Sequence, residues 1–66
     1  MTMLKIEIKT GGAAFTNEDG EFDSYHGGEE IKRILKRVVK DIQNGYEEGT
    51  ANDINGNKVC TWILEN

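Results

Sequence analysis

The dipeptide Asn55-Gly56, set between Ala51-Asn52-Asp53-Ile54 and the run Asn57-Lys58-Val59-Cys60-Thr61-Trp62-Ile63-Leu64, constrains this chain more than any other feature. Asn-Gly between two strand-like runs is the strongest short-range signal for a β-hairpin, because a two-residue turn needs a left-handed backbone that these residues tolerate. With Asn55-Gly56 as the loop, Ile54 faces Asn57, Asp53 faces Lys58, Asn52 faces Val59, Ala51 faces Cys60 and Gly49 faces Trp62. That register opposes unlike charges at Asp53 and Lys58 and lays a large ring over a glycine. The second run is apolar on both faces, with Cys60, Trp62 and Leu64 on one and Val59 and Ile63 on the other, which suits a central strand.

Two further elements complete a fold. Over residues 3–9, Leu4, Ile6 and Ile8 alternate with Lys5, Glu7 and Lys9, the period of a half-buried strand. Over residues 29–44, Ile31, Ile34, Leu35, Val38 and Ile42 recur every three or four positions and make one stripe on a helix. Glu29 and Glu30 then occupy a first turn that favours anions, and Asn44-Gly45 supplies a left-handed end. Between these elements, residues 11–25 read as a loop of turn formers pinned by Ala14, Phe15 and Phe22. The expected architecture is a single α+β domain over residues 1–66, built β-α-β-β. Its three-stranded sheet has order 2-3-1, with the first and last strands antiparallel and the one helix crossing one face in the right-handed sense.

At 66 residues the chain has room for one small core, and domains of this size bury only about 60% of their unfolded surface. One cysteine excludes an internal disulfide and a Cys-rich zinc cluster, so oligomerisation is the expected stabiliser. The sequence shows neither a signal peptide nor an apolar run that would span a membrane, which predicts a soluble, cytoplasmic protein with Cys60 reduced. The net charge of −4 conceals an asymmetry: the helix carries Lys32, Arg33, Lys36, Arg37 and Lys40, while the other segments are acidic.

No catalytic constellation can be assembled from these residues. His26 is the single histidine, read as a surface or capping residue, and the alternation of the last strand puts Cys60 on a core face. An enzyme needs a base, a nucleophile or a metal within mutual reach, so none is expected here, and no cofactor either. The acidic loop from Asn17 to Asp23 and the segment Asp53-x-Asn55-Gly56-Asn57 both depart from the calcium-loop spacing and read as solvated turns. Gly11-Gly12 opens no helix and precedes no Lys-Ser/Thr pair, so it is not a phosphate loop.

Surfaces remain. The columns Lys32-Lys36-Lys40 and Arg33-Arg37 would track a phosphate backbone, although the acidic chain, the lack of aromatics among the basic residues and the lack of a helix-turn-helix pattern weigh against nucleic acid. The acidic residues Glu18, Asp19, Glu21, Asp23, Glu47 and Glu48 would meet a basic surface on a protein partner. On the sheet face left bare by one helix, Ile54, Val59, Thr61 and Ile63 would form an apolar patch and favour a two-fold dimer.

The strings Lys5-Ile6-Glu7-Ile8-Lys9-Thr10, Ala13-Ala14-Phe15, Ile31-x-Arg33-Ile34-Leu35 and Asp53-Ile54-Asn55-Gly56-Asn57-Lys58-Val59 together resemble a group of small uncharacterised proteins encoded by bacteriophages and prophages. The resemblance covers most of the chain outside the acidic loop, and Cys60 departs from it by standing where a glycine is expected. It implies an accessory product acting inside an infected bacterium on host machinery or defence. The expected function is therefore non-enzymatic binding of a host protein. Nucleic-acid binding through the basic helix face is the alternative, and a self-assembling structural subunit is a third reading.

Overall fold

A computed structural model describes residues 2–66. The elements run β1 (Met3–Ile8), α1 (Ser24–Gln43), β2 (Glu48–Asn52) and β3 (Lys58–Glu65). The sheet has order β1-β3-β2, and β3 is antiparallel to both neighbours, which is the β-α-β-β layout that the sequence predicts. Strand β3 sits in the centre, as its two apolar faces require.

Helix α1 begins five residues before the apolar stripe suggests. Asp23 is its N-cap: one carboxylate oxygen accepts the backbone N–H groups of Tyr25 and His26 at 3.0 and 2.9 Å, which satisfies two donors that a helix start leaves orphaned. Glu29 and Glu30 therefore lie in the second turn, and Asp23 is the anion at the helix start. Gly27, inside the first turns, is buried, and a Cβ there would stand 2.6 Å from the Phe22 ring and 3.1 Å from the Phe15 carbonyl, so the site has room only for glycine. The far end matches expectation. Gly45 takes a φ of 94°, its N–H donates to the Ile42 carbonyl, and the Tyr46 N–H donates to that of Asp41, the paired bonds of a Schellman cap.

The hairpin differs from a two-residue turn. Among the described residues only glycines have positive φ, so Asn55 is not left-handed and Gly56 alone of the loop, at 87°, takes the left-handed position. Asp53 and Asn57 close the loop through Asp53 N–H to Asn57 O at 2.8 Å, giving a three-residue loop with a glycine bulge. Ala51 still faces Cys60 and Gly49 still faces Trp62, but the register shifts past Ala51 so that Asn52 faces Lys58 rather than Val59. The cause is Asp53, whose Oδ1 accepts the N–H groups of both Asn55 and Asn57 at 2.9 Å and draws the chain into an Asx turn. The acidic loop repeats the device. Asn17 Oδ1 accepts from Asp19 and Glu21, Asn17 N–H donates to Glu21 O, and Gly20 takes a φ of 79°.

The core consists of Phe15, Ile34, Val38, Ala51, Cys60 and Trp62, with Ile6, Ile8, Ala14, Ile31, Ile42, Val59 and Leu64 half-buried against it. Phe15 is fully buried on the helix side. It fills the space between helix and sheet and does not fold across the sheet's other face. Within the helical stripe Ile34 and Val38 carry the burial, while Leu35 is only half-buried. The helix packs principally against β2 and not evenly across the three strands. The Trp62 ring lies over Gly49, where a Cβ would stand 2.8 Å from its Nε1.

Two substitutions test this packing by urea denaturation. Ile34→Ala should cost about 2–5 kcal/mol by emptying a fully buried site, and Leu35→Ala less, about 1–2 kcal/mol, because part of that side chain already lies in water. Gly49→Ala should cost about 1–3 kcal/mol by forcing the buried indole aside. Equal losses for Ile34 and Leu35 would refute the helix orientation.

Candidate protein-binding face

The orientation of α1 is set by a buried carboxylate. Glu30 is 7% exposed. It accepts Arg33 Nε at 2.6 Å and the Ile54 N–H at 2.7 Å, while Arg33 Nη2 donates to the Asn52 carbonyl at 2.8 Å. Burial of a charge is tolerated only with such partners. The guanidinium of Arg33 holds the Glu30 carboxyl below its ordinary range, assisted by the Ile54 N–H against the opposing effect of burial. Asp53 is also buried and also held low, first by the Asn57 N–H. Asp23 is lowered chiefly by the His26 N–H.

These bonds divide the five basic helix residues into two groups. Arg33 and Arg37 line the flank of α1 above β2, beside Thr50, Ala51 and Asn52. Arg33 is bound to Glu30, and Arg37 Nε lies 3.3 Å from Asp41 Oδ1. Lys32, Lys36 and Lys40, on the outer face of α1, have no carboxylate partner among the described residues. They border a shallow groove floored by Gly28, Ile31, Leu35 and Val39 and ended by Gln43. Val39 is 52% exposed, although it follows a fully buried Val38. Positions 31, 35 and 39 form an i, i+4, i+8 row, so the apolar strip was visible in the spacing. Val39 was missed because the stripe was read as wholly core-facing.

The acidic residues do not form one surface. Glu18, Asp19 and Glu21 are exposed in the Asn17 turn, and Asp23 is engaged as the cap. Glu47 and Glu48 lie beyond the other end of α1, about 30 Å away by the rise of its 20 residues. Nor is the open sheet face uniformly apolar. Thr61 and Ile63 are exposed there, but the register sets Lys5, Glu7, Glu48 and Thr50 opposite them, and Lys5 Nζ bridges to Glu65 at 2.9 Å. Ile54 is in the turn, and Val59 is half-buried against the core.

Cys60 is fully buried, and burial pushes its thiol up. The exposed His26 ring lies 3.1 Å from the Asp23 carboxylate. Among the described residues, no group of three His, Cys, Asp or Glu side chains is placed to hold a metal ion. No helix among them is long and apolar enough to cross a membrane. The chain matches no family model, no curated protein and no solved structure.

The three lowered carboxyls imply a definite pH dependence. A carboxyl whose pKa is depressed by folding stabilises the fold fully above its ordinary value and loses that contribution as pH falls through the depressed one. The urea midpoint should therefore hold near neutrality and fall as acid titrates Glu30, Asp53 and Asp23. Glu30→Gln should lose about 1–3 kcal/mol at neutral pH, through its broken Arg33 contact, and decline less steeply in acid. A wild-type midpoint that stays flat into the carboxylate range would contradict the assignment.

Proposed function

We propose that the protein acts by binding and not by catalysis, as a phage-type accessory protein that engages a host protein in the bacterial cytoplasm through the outer flank of α1. The observation that supports this reading is the apolar strip Ile31, Leu35 and Val39 beside Lys32, Lys36 and Lys40. An apolar row that is half-buried at Ile31 and Leu35, exposed at Val39 and flanked by cations fits an amphipathic helix whose own apolar row is edged by carboxylates. A phosphate backbone would use the lysines but leave the strip without a partner, and two of the five basic residues already hold intramolecular carboxylates. The protein reading accounts for both halves of the flank.

The partner should be recovered from host extract by cross-linking the purified chain, and then titrated with purified components. Leu35→Asp should abolish the recovered interaction. Reversal of Lys32, Lys36 and Lys40 to Glu should weaken it in a salt-dependent way, and Ile63→Ser on the open sheet face should leave it unchanged. A partner that survives both flank variants would overturn this reading, as would a salt-dependent mobility shift of DNA or RNA that survives Leu35→Asp but not the lysine reversal.

A further inference from the structure

The sheet stops abruptly at β1. The Lys9 N–H donates to the Val59 carbonyl at 2.8 Å, and the β1–β3 register pairs Met3 with Glu65 through to Ile8 with Cys60. Antiparallel ladders alternate, so the peptide groups of Met3, Lys5 and Glu7 face β3, while the N–H and C=O groups of Leu4, Ile6 and Ile8 point out of the free edge. Among the described residues no hydrogen bond from a loop or side chain reaches them. The β2 edge is different, because it carries a register shift and Arg33 occupies the Asn52 carbonyl.

The side chains at the β1 edge are also short of cover. Arg33 and Arg37 place one flank of α1 over β2. The flank half a turn away, bearing Gly28, Leu35 and Val39, therefore overhangs the β1 side. Among the described residues α1 is the one helix, and Leu4 is 42% exposed.

We propose that β1 pairs with β1 of a second copy, antiparallel, about a two-fold axis through Ile6, so that two three-stranded sheets become one. The outward peptide groups of Leu4, Ile6 and Ile8 then meet those of the partner strand in about six hydrogen bonds. On the helix side, Leu4, Ile6 and Ile8 continue the apolar ladder across the axis. On the open side, Lys5, whose ammonium also bridges Glu65 of its own chain, faces the partner's Glu7, and Glu7 faces the partner's Lys5, at the close spacing of a non-hydrogen-bonded pair.

Charge selects this register. The two neighbouring two-fold registers that also match hydrogen-bonding groups have their axes through Lys5 or through Glu7, and each opposes a like pair at the axis. Charges on an edge strand ordinarily deter pairing with any strand that arrives, but opposite signs at i and i+2 favour this register over the two beside it. An isologous contact of this kind is closed, so it ends at a dimer and does not build a fibre. The proposal stands apart from the host-protein reading, because it is measured on the purified chain alone.

Sedimentation equilibrium tests it. The wild type should approach twice its 7.4 kDa chain mass with rising concentration. Glu7→Lys sets lysines against each other at two places in the dimer and should weaken association roughly tenfold or more. The double variant Lys5→Glu with Glu7→Lys restores opposite charges in the same register and should restore the dimer. Both positions are exposed, and far-UV circular dichroism of each variant checks that the fold is intact. A wild type that stays monomeric overturns the proposal, as does a dimer that Glu7→Lys leaves unchanged or one that the double variant fails to recover.

Discussion

One α-helix is about 10 Å across, and three strands spaced at about 4.8 Å present a wider surface than that. Much of the architecture follows from this mismatch. The helix cannot cover β1, β3 and β2 equally, so it must sit to one side, and the bonds from Glu30 to Ile54 and from Arg33 to Asn52 fix it towards β2. Phe15, brought in by the long loop, fills the core beneath. The half-exposed Leu4, the half-buried Ile6 and Ile8, and the open flank of the helix are the other side of the same asymmetry.

Periodic features were legible in the sequence because periodicity is a local property. Alternation over Leu4, Ile6 and Ile8 marked β1, spacing from Ile31 to Ile42 marked α1, and the two apolar faces around Trp62 marked the central strand. What escaped depended on contacts between distant segments. The helix start escaped because the apolar stripe begins only at Ile31, whereas the first turn is set by the Asp23 cap and by Gly27, which packs under the Phe22 ring. The i, i+3 spacing of Glu30 and Arg33 suggests an ordinary surface pair. Only the Ile54 N–H, 24 residues further on, makes Glu30 a buried tie between helix and hairpin.

The hairpin shows how a side chain can override a dipeptide preference. Asn55-Gly56 correctly marked a reversal of direction, but two residues earlier Asp53 offers a carboxylate to the amides of Asn55 and Asn57 and so selects a longer loop with one left-handed residue. Asn17 does the same to Asp19 and Glu21 in front of the helix. Both turns thus have the form Asx-x-Asx-Gly-x, in which the side-chain oxygen at the first position is committed to backbone amides. Both segments depart from calcium-loop spacing and read as turns in the sequence, and the oxygens of Asn17 and Asp53 accordingly serve the backbone.

The strand order also governs how the molecule can be made. Strands β1 and β2 are never neighbours, since each touches only β3, and β3 is the last of the four elements in the chain. During synthesis the first 57 residues can form turns and a helix, but none of the three named strands can be paired. The sheet appears only when Lys58–Glu65 enters between two strands that have been waiting for it. Pairing Met3 with Glu65 then closes nearly the whole chain in one step, a long-range closure that slows folding relative to a chain of local contacts. Until that step, the nascent protein carries two unpaired strands, and its safety against misassociation rests on the charges interleaved among the apolar residues of β1.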